Sequence, residues 1–148
     1  MLGGLENDGL LWYTTYIVRM PRNKASSADN QQERVAMAHW IVGFVDGEGS
    51  FLISIFRNKT TALGWQVFPE FVVTQGAKSL LVLRKIQRFF GCGQVYINRR
   101  YDNHHEHIYR LCVRSIKDIR EKIIPFFEEH PLRSAKHRDF KKFTRVVG

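Results

Sequence analysis

The stretch from about Arg34 to Asp46 constrains the fold more than any other part of the chain. Val35, Ala36, Met37, Trp40, Ile41, Val42, Phe44 and Val45 make it apolar on nearly every face of a helix, and a helix apolar all round is buried all round. A chain of 148 residues and 17.4 kDa supports one core, and one sheet covers only one side of such a helix. The other side calls for a second copy of the chain. Gly43 and Gly47, four residues apart, let two such helices approach closely. The pattern predicts a homodimer with Gly43, Phe44 and Gly47 at its interface.

Charge divides the chain. Residues 1 to 33 hold three Lys or Arg against four Asp or Glu, and residues 34 to 148 hold twenty against ten. The first part, net −1, ends in the polar, turn-forming run Pro21 to Asn30 and reads as a poorly ordered arm. The second carries +10, more than the +9 of the whole chain. An excess of that size suits an anionic partner such as nucleic acid or an acidic surface rather than a small metabolite. Two cysteines, Cys92 and Cys112, do not make a disulfide framework, so a reducing, intracellular compartment is expected. The apolar stretch from Leu10 to Val18 is broken by Thr14 and Thr15 and follows acidic residues; it is read as neither signal peptide nor membrane span.

From residue 34 onward the periodicity reads helix, two strands, helix, two strands, helix, helix. Phe51, Ile53 and Ile55 alternate with Ser50, Leu52, Ser54 and Phe56; Val67, Phe71 and Val73 alternate with Gln66, Phe68, Glu70, Val72 and Thr74. A helix from about Ala77 to Phe90 stops at Gly91, a residue suited to a C-cap. In the later strands Val95 and Ile97 face the core against Tyr96, Asn98 and Arg100, and Tyr109, Leu111 and Val113 oppose Arg110, Cys112 and Arg114. The outward set of Ser50, Leu52, Ser54, Gln66, Thr74, Tyr96, Asn98, Arg100, Arg110 and Arg114 fits the major groove of DNA, where Arg, Asn and Gln read base edges. A solvated antiparallel face is the plainer alternative.

Asp46-Gly47-Glu48-Gly49 places two acids at the C-terminal end of the apolar helix, where the helix dipole is already negative. Taken alone, such a tetrapeptide is more often a helix end in solvent. The placement becomes favourable when a hard divalent cation such as Mg²⁺, with Mn²⁺ as substitute, lies between Glu48 and the freed carbonyl of Gly47. In a dimer the two copies of Glu48 would meet on the axis.

Ile41 to Gly49, continuing into Ser50-Phe51-Leu52, resembles the signature of the LAGLIDADG homing endonucleases, with Ile41-Val42 in place of Leu-Ala and Glu48 in place of the usual final Asp. The likeness runs from about Ala38 to Val146. It implies an α+β fold of αββαββα order whose antiparallel sheet forms a saddle over DNA. It implies signature helices paired at a two-fold axis, and Glu48 as a ligand of the catalytic metal. Phe71-Val72-Val73-Thr74-Gln75 is similar to the family's strand that ends in an active-site glutamine, here Gln75. Ile123 to Phe127, His130-Pro131-Leu132, Lys136 and Asp139-Phe140 are similar to its closing segment, whose lysine lies beside the scissile phosphate, here Lys136. Little chain follows Lys136 to contact flanking DNA.

The chemistry suits those residue types. Phosphodiester hydrolysis needs charge stabilisation on phosphorus and the leaving oxygen, which metal ions and a lysine supply, and a glutamine can orient the water. His104, His105 and His107 aim apart in a turn with no thiolate near, which suits a hairpin tip on the DNA backbone better than zinc. The resemblance implies a Mg²⁺-dependent, site-specific double-strand DNA endonuclease of the mobile-intron or intein kind, acting on a long, nearly palindromic site. An intron-RNA maturase or a non-catalytic DNA-binding regulator on the same fold is the alternative.

Overall fold

The apolar segment forms helix α1, Ser27–Glu48, which runs without a loop into strand β1, Gly49–Arg57. Only glycine permits that exit, because a Cβ at Gly49 would lie 2.9 Å from the Val45 carbonyl oxygen. The computed structural model describes residues 27–99 and 107–148, so Arg100, His104, His105 and residues 1–26 lie outside the described residues. The chain divides into two units, Met1–Val35 and Ala36–Gly148, and the sheet belongs to the second. The helix begins upstream of the expected Arg34. Its opening residues, including Ser27, Asp29 and Asn30, belong to the run whose composition reads as turn-forming, but the same side chains favour helix N-termini, and Asp29 sits in the first turn where the dipole welcomes an acid.

After β1 come β2, Trp65–Gly76; a 3₁₀ turn, Ala77–Ser79; and α2, Leu80–Phe90. The chain continues through β3, Gln94–Asn98, and β4, Ile108–Val113. A short α3, Ile116–Asp118, passes through a π-turn, Ile119–Ile123, into α4, Ile124–Glu129, and α5, Lys136–Val147, closes the fold. Gly91 caps α2 with φ 61° and donates its N–H to the Gln87 carbonyl, as its sequence position predicts. The strands pair antiparallel in the order β1-β2-β4-β3. The fold is therefore α+β, a four-stranded antiparallel sheet with helices on one face.

That covered face is built from Phe71, Val73, Leu111 and Val113, with Ile41 and Val45 of α1, Leu83 and Ile86 of α2, and Phe127, Phe140 and Phe143 of the closing helices. Phe51 ties the first strand to the last helices, its ring 5.5 Å from Phe127, 5.2 Å from Phe140 and 5.4 Å from Phe143. Three expected core residues are exposed: Ile55 at 64%, Val67 at 44% and Ile97 at 42%. The register explains the first two, since β2 meets β4 only from Phe71 onward and the outer part of the β1–β2 hairpin projects past it. Pro69, which lacks an N–H, lies in that single-sided stretch opposite Ile53, where no β4 neighbour needs its donor. Conversely Val72 and Cys112, on the uncovered face, are buried at 2% and 3%.

Within one chain α1 buries Ala38, Ile41 and Val45 and leaves Trp40, Gly43 and Gly47 exposed. The all-round burial expected of this helix is thus met on the sheet side alone. Phe127→Ala removes a fully buried ring that touches Phe51, Phe71, Phe90, Phe126 and Phe140. It should cost about 3–5 kcal/mol in urea unfolding.

Candidate active site and nucleic-acid interface

The last carbonyls of α1 have no intrahelical partner. Lys136, at the first position of α5, supplies one: its Nζ donates to the carbonyl of Val45 at 3.1 Å and to that of Gly47 at 3.2 Å. The Gly47 carbonyl is the oxygen expected to assist Glu48 on a metal. The structure brings Lys136 to the same oxygen, so the expected lysine and the expected signature lie in one site although 89 residues separate them. Glu48 is exposed beside them, with no hydrogen bond or ion pair to any described residue. Gln75 lies on β2 two residues past Val73, which pairs with Gly49, and on the same face of the strand.

Asp46 has a task that the sequence did not reveal. Its Oδ2 accepts the Arg133 N–H at 2.8 Å, and its Oδ1 accepts the Ser134 hydroxyl at 2.7 Å and the Ser134 N–H at 3.2 Å. Ser134 Oγ in turn accepts the Lys136 N–H at 3.2 Å. The carboxylate clamps the loop that delivers the lysine. Partial burial pushes the Asp46 pKa up, but the hydrogen bonds from Ser134 and Arg133, with the charge of Lys136, hold it below the ordinary value. An acid directly before Gly-Glu-Gly and a serine two residues before the lysine were the only signals available.

Among the described residues no cluster of three His, Cys, Asp or Glu could hold a metal ion. One chain offers the Glu48 carboxylate and neighbouring carbonyl oxygens at the negative end of a helix dipole. These are hard donors that fit Mg²⁺ or Ca²⁺ in kind but make an incomplete set by themselves.

The uncovered face of the sheet gathers Ser50, Leu52 and Ser54 from β1, Gln66 and Thr74 from β2, Tyr96 and Asn98 from β3 and Arg110 from β4, as the alternation predicted. Arg114 follows β4 directly, and its guanidinium pairs with Glu70 and lies 5.0 Å from the Tyr96 ring centroid. The Cys112 thiol donates to the Arg110 carbonyl at 4.0 Å; burial first and then the nearby charge of Glu70 push that thiol up to about 11. His107 precedes β4 and is exposed.

Asp46→Asn should destabilise the protein by about 1–2 kcal/mol in urea unfolding, the modest figure reflecting partial solvent access. Because the folded pKa is depressed, the contribution is complete above the unfolded carboxylate value and disappears as pH falls through the folded one. The wild-type and Asp46→Asn unfolding curves should therefore differ at pH 6 and converge in strong acid, with pH values chosen from about 6 down to 2.

Residues 41–147 match the family model described as LAGLIDADG endonuclease. The chain is 32% identical over 111 residues to a probable intron-encoded endonuclease 2 of Neurospora crassa, covering 74% of this chain and 22% of that protein. It superposes on the crystal structure of the homing endonuclease I-TnaI with a TM-score of 0.67 and 42% identity, covering 74% of this chain and 70% of that one. Against I-SmaMI bound to an uncleaved DNA target in the presence of calcium ions the TM-score is 0.67 and the identity 30%, covering 74% and 36%. The chain spans less than a quarter of the length of the first curated relatives it matches. The match to the family model spans the signature, the four strands and the closing helices, and the chain belongs to the LAGLIDADG endonuclease family.

Proposed function

We propose that residues 34–148 form a site-specific, double-strand DNA endonuclease domain that works as a homodimer inside the cell. The observation that carries this reading is the convergence of Lys136 on the carbonyls that end the signature helix, beside a Glu48 that has no partner among the described residues. Supporting it are the basic excess of the domain, the polar uncovered sheet face, and relatives named as intron-encoded and homing endonucleases. Among the described residues no helix is long and apolar enough to cross a membrane.

In this reading Glu48, with the Gly47 carbonyl, holds one side of a divalent metal site, and the second copy of the chain completes the oxygen set. A divalent cation bound there supplies Lewis-acid stabilisation of charge on the phosphate, with Mg²⁺ the physiological choice and Mn²⁺ a substitute. Lys136 sets its ammonium beside the same atoms, where it stabilises charge on the pentacoordinate phosphorus. Gln75, donor and acceptor in one group, orients the attacking water. Asp46 keeps the lysine in place. Ser50, Leu52, Ser54, Gln66, Thr74, Tyr96, Asn98, Arg110 and Arg114, with Arg100, contact the major groove.

Glu48→Gln should abolish cutting of a digested genomic library in Mg²⁺ or Mn²⁺ while DNA affinity persists; unchanged cutting would remove Glu48 from the site. Lys136→Met should lower the cleavage rate by at least about tenfold with little effect on affinity, since the group acts on developing charge. If about ten phosphates are neutralised, log K should fall with log salt at a slope of about −9. A maturase or a regulator on this fold would instead bind without Glu48-dependent cutting.

The dimer has its own test. A Cβ at Gly43 or Gly47 meets nothing within 4 Å in the chain itself. Gly47→Leu should therefore leave the monomer's melting temperature nearly unchanged and shift sedimentation from dimer to monomer. Retention of the dimer would place the interface elsewhere.

A further inference from the structure

Glu70 is the only acid in the four strands, and it lies on the uncovered face. On a surface that meets DNA a carboxylate has the wrong sign. Its arrangement resolves this. The Glu70 side chain is only 12% exposed and accepts from Nε of Arg114, whose own side chain is 45% exposed. The acid is withdrawn and the guanidinium stands forward. Register places the two residues opposite each other, one step beyond the Phe71–Val113 pair.

Arg114 is also held from another side, with its Cζ 5.0 Å from the centroid of the Tyr96 ring on β3. Stacking on an aromatic face limits the plane of a guanidinium, and the Glu70 contact limits its rotation within that plane. With Nε–H spent on Glu70, the two terminal nitrogens remain as a fixed fork of parallel donors. A fork of that kind fits two acceptors side by side. Guanine presents such a pair, N7 and O6, in the major groove, whereas adenine presents an acceptor beside a donor. A phosphate clamp needs none of this, because net charge serves it best and Glu70 cancels the charge of Arg114.

We infer that Arg114 reads a guanine in each half of the DNA target, with Glu70 and Tyr96 as positioning residues that pre-set its fork. This rests on the reading of the uncovered face as the DNA-contacting surface. It adds to that reading one base identity and the means by which it is selected.

Binding selection from a randomised duplex library in EDTA tests the inference without strand cutting. The wild-type chain should enrich sites with one guanine per half that depends on Arg114. Arg114→Lys keeps the charge and loses the fork; Glu70→Gln keeps the size and loses the anion. Each should lower the preference for guanine at that position by about 10- to 100-fold, leaving other positions and the salt slope as they were. Arg114→Lys leaves the core untouched and decides the matter if Glu70→Gln does not fold. A guanine preference that survives Arg114→Lys overturns the inference. So does a uniform loss of affinity for all sequences with a shallower salt slope, the signature of a phosphate contact. If the wild-type chain enriches no sequence at all, the DNA reading of this face fails and the inference fails with it.

Discussion

The signature helix ends on carbonyls that need partners, and the way it finds them organises the rest. A helix C-terminus leaves carbonyls without partners, and burying them unsatisfied is costly. Here the Lys136 ammonium takes the oxygens of Val45 and Gly47, and Gly49 lets the chain turn at once into β1. Asp46, on the same last turn, binds the loop that carries the lysine. The acids of the signature thus divide their work: one secures the closing segment, and the other remains free at the exposed end of the helix.

That closure depends on packing as much as on polar contacts. Phe51 follows the signature by two residues and is gripped by Phe127, Phe140 and Phe143 from the closing helices. The loop between α4 and α5 therefore has aromatic anchors on both of its flanks, with Leu132 buried within it. A lysine 89 residues away from Gly47 in the sequence is held by a hydrophobic frame and then oriented by hydrogen bonds. Nondirectional burial sets the approximate position, and directional contacts set the last ångström.

Most elements were legible because their signals are local. Alternation in β1 and β2, helical spacing in α2 and the Gly91 cap all depend on neighbours within one turn or one strand, and each appears in the structure. The misreadings have a common cause. Ile55 and Val67 alternate correctly yet are exposed, because burial depends on how far β4 extends along β2. Ser27 to Glu33 carries residues that serve both turns and helix starts, and composition does not choose between them. The roles of Asp46 and Glu70 lay in partners 87 and 44 residues away. No period or spacing in the sequence encodes such a pairing; only the family likeness located Lys136, and it did not reach the clamp behind it.

The end of β2 shows how closely recognition and chemistry are spaced in the proposed reading. Successive side chains of a strand point to opposite faces, so Thr74 goes with the uncovered surface and Gln75 with the helix side. A shift of one residue in the pairing would exchange them and would also bring Phe71 and Val73 out of the core. The burial of those two side chains fixes the register, since both have zero exposure. The hydrophobic pattern of β2 therefore determines which side chain can touch a base and which can touch a phosphate, and mutations that loosen the core should blur both functions together.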